Sequence, residues 1–186
     1  MKVNKVRLTK QEFNQIKMNQ LKIPEDRVGC LIGKAGATKK LIERKTKCKL
    51  KVSKEGDVLI TGEALDAFVC DSVIRAIGRG FNPNVALKLI KEDHALVVVS
   101  IREVSGKSKK DIMRVRGRLI GKDGKAREMV ERLAGVDVVV YGKTVSLIGE
   151  IERVSVAKQA VENLIKGSEH GNVYKFIQRR KDNDSK

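Results

Sequence analysis

Gly29-Cys30-Leu31-Ile32-Gly33-Lys34-Ala35-Gly36 and Gly117-Arg118-Leu119-Ile120-Gly121-Lys122-Asp123-Gly124 are two copies of one octapeptide, 88 positions apart. Gly29, Leu31, Ile32, Gly33, Lys34 and Gly36 all recur in the second copy. The similarity extends outward. Glu43-Arg44 returns as Glu131-Arg132 at the same spacing, and Gly62-Glu63 returns as Gly149-Glu150 one residue closer. Self-similarity at a fixed spacing marks a duplicated structural unit. The units are read as residues 14–80 and 95–167, with a basic arm at 1–13, a linker helix at 81–94 and a basic helical tail at 168–186.

The pattern inside a unit gives its elements. A strand is expected over 14–23. Pro24 followed by Glu25 and Asp26 suits a helix start, because Pro lacks a donor not needed there and acids favour the positive end of the helix dipole. This helix stops at Gly33, and a second runs from Ala37 to about Lys47. Lys47-Cys48-Lys49-Leu50-Lys51-Val52 alternates as a half-buried strand does. Glu55-Gly56-Asp57 is turn chemistry, and 58–61 is the returning strand. Leu65, Phe68, Val69, Ser72, Val73, Ala76 and Ile77 follow the spacing of a long amphipathic helix. The order is strand, helix, helix, strand, strand, helix.

The second unit repeats it, with strands at 95–101, 136–141 and 144–148 and helices at 108–119, 125–134 and from Ile151 onward. Each unit is therefore α+β, a sheet antiparallel in part with helices on one face. Asn82 is the expected N-cap of the linker helix. The linker is short and apolar (Val85, Leu87, Leu89, Ile90), so the units are expected to pack together.

The 186 residues carry 40 Lys and Arg against 23 Asp and Glu, a net charge of +17. Such an imbalance points to a polyanionic partner. No apolar run approaches the roughly 20 residues that span a bilayer, so no membrane association is expected. The N-terminus has basic residues without an apolar core and does not read as a signal peptide. The expected location is cytoplasmic. Cys30, Cys48 and Cys70 form no CxxC and read as small, mostly buried fillers in a reducing compartment.

A Gly-x-x-Gly turn between two helices brings the main chain to the surface without Cβ atoms in the way. The helix that follows directs unpaired N–H groups outward, a ready anion site. Gly33, Lys34, Ala35 and Gly36 form one such loop, and Gly121, Lys122, Asp123 and Gly124 the other. A sugar–phosphate backbone crossing the glycines would place its bases between the two helices and the alternating strand. The expected groove residues are Val28, Leu31 and Ile32 in the first unit and Leu119, Ile120 and Val138 in the second. Cations cluster beside both loops. Residues 37–51 hold seven (Lys39, Lys40, Arg44, Lys45, Lys47, Lys49, Lys51) against Glu43 alone. Residues 102–118 hold seven (Arg102, Lys107, Lys109, Lys110, Arg114, Arg116, Arg118) against Glu103 and Asp111. Lys39, Lys40 and Arg44, with Arg116, Arg118, Lys125 and Arg127, complete the expected RNA-binding set.

These stretches resemble the signature of the type I KH domain, over about residues 14–80 and 95–167. KH loops clamp about four nucleotides of single strand. The pairing of two such units, with the ending Ser168-Glu169-His170-Gly171-Asn172-Val173-Tyr174-Lys175-Phe176-Ile177-Gln178-Arg179-Arg180-Lys181, resembles the archaeal relatives of the "partner of Nob one" ribosome-assembly family. That resemblance implies binding to single-stranded RNA near the 3′ end of small-subunit ribosomal RNA. The partners it implies are the alpha subunit of translation initiation factor two and a ribosome-assembly nuclease. In eukaryotic relatives the first unit has lost its glycine loop and serves protein contacts; this sequence keeps Gly33 and Gly36. The competing reading is a protein-interaction scaffold in which only the second unit touches RNA.

Other chemistries find little support. A P-loop needs G-x-x-x-x-G-K-[ST], and Gly29 to Ala35 has three residues between its glycines and no hydroxyl after the lysine. His94 and His170 are far apart, and no His/Cys spacing matches a metal site. No catalytic residue, metal or cofactor is expected. Aromatic residues are 3% with no Trp, too few for base-stacking platforms. Tyr141 is expected to cap its strand rather than stack on a base. In the tail, Val173, Phe176 and Ile177 share a helical face that would dock on the second unit. The charge count predicts a steep salt dependence: apparent affinity for single-stranded RNA, measured by fluorescence anisotropy, falls markedly with added salt, and a flat response would remove the electrostatic argument.

Overall fold

The structure is a computed structural model describing residues 16–102 and 108–184. The arm at 1–13, and Glu103 and Lys107 of the second basic run, lie outside the described residues. The chain divides into two compact units after Gly78.

In the first unit, β1 (Ile16–Lys22) leads into α1 (Glu25–Ile32), a tight loop (Lys34–Gly36) and α2 (Ala37–Thr46). β2 (Lys49–Val52), β3 (Asp57–Glu63) and α3 (Ala64–Gly78) follow. The strands are ordered β1-β3-β2 and every pairing is antiparallel. The central strand β3 is therefore the last in sequence, and β2 is an edge. Leu50, Val58 and Ile60 are buried beneath the helices, while Lys49 and Lys51 point out. This is the period-two alternation of a sheet covered on one face.

The amphipathic reading of α3 needs correction. Val73, Ala76 and Ile77 are buried as expected, but Leu65 and Phe68 are 83% and 70% exposed, and Val69 and Ser72 only half-buried. The helix carries two apolar stripes. The sheet takes the one with Ala67, Cys70, Ile74 and Ile77, spaced for a single face. Side-chain bulk favoured the wrong stripe. Cys48 and Cys70 are buried fillers, and burial pushes the Cys70 thiol up to about 12. Cys30 stands exposed on the outer side of α1.

The second unit repeats the order: β4 (His94–Ser100), α5 (Lys109–Ile120), a loop (Lys122–Gly124), α6 (Lys125–Ala134), β5 (Asp137–Tyr141), β6 (Thr144–Glu150) and α7 (Ile151–Lys166), with sheet order β4-β6-β5. Two additions enlarge it. The linker forms α4 (Pro83–Ala86), capped by Asn82, whose Oδ1 accepts from Asn84 N at 2.9 Å, and then a 3-10 turn (Leu87–Ile90). This segment belongs to the second unit. The 3-10 turn lies against β4 and β6, and Lys88 Nζ reaches Asp137 Oδ2 at 2.6 Å. Phe81, Ala86 and Leu89 are buried. The chain at Gly80 runs so close to the sheet that a Cβ there would stand 2.9 Å from Val139 Cγ1 and 3.2 Å from Tyr141 Cβ. Val138 and Val140 face the helical core, so Val139 and Tyr141 face the other way. The linker thus covers the sheet face that lies open in a two-layer unit. Val97 and Val99 of β4 face the helical core, while on the other face Leu96 is half-buried and Val98 stays 41% exposed, so the cover over β4 is partial. Tyr141 packs beneath this strap, a structural role.

The second addition is α8 (His170–Asp184), which packs across α6 and α7. Val173 and Ile177 enter the core, with Tyr174 and Phe176 at its margin. Arg118 fastens the helix in place. Its Nε donates to Leu164 O at 3.0 Å and its Nη2 to Ser168 O, and His170 Nε2 meets Arg118 O at 2.9 Å. Ile177 is 1% exposed. Ile177→Ala is expected to lower the stability of the second unit by about 2–5 kcal/mol, read by urea unfolding; a change within experimental error would show that the tail does not contribute to the core.

Candidate nucleic-acid interface

The two glycine loops have nearly the same backbone. Gly33 has φ 72° and ψ 176°, Ala35 φ 51° and ψ 28°, and Gly36 φ 77° and ψ 13°. Gly121 has φ 72° and ψ 179°, Asp123 φ 53° and ψ 27°, and Gly124 φ 81° and ψ 1°. The conformation at Gly33 and Gly121 is accessible almost only to glycine. Space forbids a side chain as well. A Cβ at Gly33 would lie 2.2 Å from Thr38 Oγ1 and 2.9 Å from Thr38 N, and one at Gly121 would lie 2.6 Å from Ala126 Cβ. The first glycine of each loop therefore closes α1 or α5, donating to Gly29 O or Gly117 O at 2.8 Å, and turns the chain back at once.

The second glycine differs in kind. A Cβ at Gly36 would meet nothing within 4 Å. Its left-handed backbone occupies the N-cap position of α2, and no side chain caps that helix or α6. Two helix N-termini thus stand at the surface uncapped, with Lys34 and Lys122 exposed at the loop tips. Backbone donors, the positive dipole end and a lysine are together the elements that can hold an anion.

The expected groove residues divide. Val28, Leu31, Leu119 and Val138 are 8%, 0%, 4% and 4% exposed and belong to the cores. An amphipathic helix turns its largest aliphatic side chains inward, so these do not line an open surface. Ile32 and Ile120, at the helix ends beside the loops, remain half-exposed. The cations divide too. Lys40, Arg44 and Lys125 are exposed, and Lys39 and Arg127 partly so. Arg118 is engaged by main-chain carbonyls of the α7–α8 junction and is corrected to a structural residue. The Nε atoms of Arg116 and Arg127 are shielded from solvent and make no hydrogen bond among the described residues.

Two acidic residues were absent from the expected set. Glu43 Oε1 accepts from Leu50 N at 2.8 Å, and Glu131 Oε1 accepts from Val138 N at 2.8 Å. Each bond joins the helix after a loop to the edge strand beside it. The recurrence of Glu-Arg at the repeat spacing was the available signal.

Comparison with known proteins matches this geometry. Residues 19–75 match the KH domain, and residues 95–182 match a second-domain model described as the eukaryotic type KH domain (KH domain type I) of PNO1. The second match runs into α8, consistent with that helix being part of the domain. The KH domain-containing protein MJ0443 of Methanocaldococcus jannaschii is 46% identical over 166 residues, covering 87% of this chain and 73% of that protein. Dim2p from Pyrococcus horikoshii OT3 superposes with a TM-score of 0.82 at 39% identity, covering 88% of this chain and 99% of that one.

The chain belongs to the PNO1/Dim2 family of tandem KH proteins. Eukaryotic members are longer: the pre-rRNA-processing protein pno1 of Aspergillus fumigatus is 30% identical over 106 residues, covering 56% of this chain and 42% of that protein. A Pyrococcus horikoshii family member has also been seen in an a/eIF2alpha-aDim2p-rRNA complex, to which this chain is 40% identical with a TM-score of 0.84, covering 90% of this chain and 96% of that one.

Ala35 and Asp123 hold left-handed backbone without being glycine. That conformation costs an L-residue about 1–2 kcal/mol. Ala35→Gly is therefore expected to stabilise the first unit by up to about 1 kcal/mol after the entropy of the unfolded glycine is counted, whereas Gly33→Ala destabilises it. Thermal unfolding of the two variants checks the sign of each.

Proposed function

We propose that the protein binds single-stranded RNA of the small ribosomal subunit during ribosome assembly, with one strand segment crossing each glycine loop. The observation that carries this reading is the pair of loops with matching dihedral angles, each an uncapped helix N-terminus with a lysine at its tip. A net charge of +17 supports it, as does the rRNA-containing complex in which the Pyrococcus horikoshii relative is found. Phosphates lie over Gly36 and Gly124, held by N–H groups and by Lys34 and Lys122. Lys39, Lys40 and Arg44 in one unit, and Arg116, Lys125 and Arg127 in the other, add charge along the strand. The 3′ region of small-subunit rRNA is the segment we favour. The mechanism is binding and positioning, with no bond made or broken by the protein.

One observation favours a protein contact in addition. Leu65 and Phe68 stand exposed on α3. One residue short of the loop spacing, at 87 positions, the second unit has Glu152 and Ser155. At these two positions the first unit therefore presents apolar side chains where the second has polar ones, although Ile151 at the start of α7 is also exposed. The alpha subunit of translation initiation factor two and a ribosome-assembly nuclease are the partners we propose, by likeness to the family.

The test leaves the glycines alone, since a side chain at Gly33 or Gly121 would break the turn. Lys34→Asp with Ala35→Asp, and Lys122→Asp, place carboxylates at the loop tips. Each is expected to weaken RNA binding at least tenfold with the melting temperature little changed, and all three together to abolish it. Unaltered binding by the triple variant would reject the loops as the RNA site. Loss from Lys122→Asp alone would assign the first unit to protein contact.

A further inference from the structure

Glu43 lies seven positions before Leu50 and Glu131 seven before Val138, and both carboxylates make the same 2.8 Å bond. β2 and β5 are edge strands, so these N–H groups point away from the sheet toward the preceding helix. Part of the role is structural: the bond occupies an edge donor and ties α2 to β2, and α6 to β5. The charge strengthens that bond, but it also sets an anion beside the proposed path of a polyanion. A glutamine oxygen would accept the same bond, more weakly, without that charge.

A carboxylate is acceptor-only and offers about four lone-pair sites on two oxygens; the edge-strand bond uses one. Both side chains are half-buried, so part of each carboxylate group remains accessible. In the first unit Glu43 is the single acid lining a surface hollow of about 370 Å³, with Lys40, Arg44, Lys47 and Lys49 around it. In the second, Arg127 Nε stands 3.8 Å from Glu131 Oε2, an ion pair too long for a hydrogen bond. That oxygen is steadied by charge without being consumed. Cations with one fixed acceptor are the complement of a nucleotide: phosphate for the cations, a base N–H for the acceptor.

We propose that Glu43 and Glu131 are specificity-determining residues that accept hydrogen bonds from a base beside each loop and select guanine against uracil. This rests on the RNA-binding reading above. The Watson–Crick edge of guanine carries two adjacent donors, N1–H and the N2 amino group. Uracil has a single N3–H between two carbonyl oxygens, which a carboxylate repels. Recognition by a well-placed hydrogen-bonding pair is worth about tenfold or more between bases.

Glu43→Gln and Glu131→Gln test this in the full chain. The amide oxygen keeps the bond to the edge strand, while its NH2 turns the outward group from acceptor to donor. The probes are short single-stranded RNAs differing in one nucleotide, measured at fixed salt, with thermal unfolding confirming the fold. The parent is expected to favour guanine over uracil by about tenfold, and each Gln variant to lose or reverse that preference while overall affinity holds or rises. Parent binding that is indifferent to the base, or a guanine preference unmoved in both Gln variants, would overturn this inference alone. Failure of the parent to bind any of these RNAs would overturn the RNA-binding reading and this inference with it.

Discussion

Everything at the candidate interface depends on one backbone constraint: a glycine at φ 72° with ψ near 180°, repeated at Gly33 and Gly121. At that angle one helix ends and the next begins within four residues. The next helix therefore starts at the surface with no side chain to cap it, and the edge strand that follows it returns alongside. A Cβ would collide with Thr38 or Ala126, so relief by small adjustments is not available. The anion site, the lysine tips and the carboxylate bridge to the edge strand follow from where this turn aims the second helix.

The frame around that turn differs between the units. The first is a two-layer unit whose outer sheet face is polar, with Lys49 and Lys51 exposed. The second is thickened on both sides. The segment from Phe81 to Ile90 covers its outer sheet face, and α8 fills the groove between α6 and α7. The larger unit places its loop on a scaffold with more buried apolar surface, the main source of stability in a small domain. The smaller one keeps Leu65 and Phe68 on its surface.

Most of the fold was legible in the sequence because duplication tests each reading twice. Helix starts at Pro24 and Ser108, the helix stop at Gly33 and the turn at Gly56 all stand in local chemistry. Three features were not legible, for one shared reason: they depend on which neighbour a side chain meets. α3 offers two apolar stripes, and only the sheet decides between them. Arg118 reads as one more cation beside a loop, yet its donors meet the carbonyls of Leu164 and Ser168, about 50 residues away. The linker reads as a connector because its partners, Val139 and Tyr141, are also distant in sequence. For the candidate site, the loops and their lysines were legible, whereas the core position of Val28 and Leu31 and the bond from Glu43 to the edge strand were not, because each depends on a packing neighbour.

The proposed grip on RNA lies at the two uncapped helix starts. Amide chemical shifts during titration with single-stranded RNA from the 3′ region of small-subunit rRNA test this most directly. The largest changes are predicted at Lys34 to Thr38 and at Lys122 to Ala126, in both units. Shifts concentrated elsewhere, with these ten amides unmoved, would contradict it.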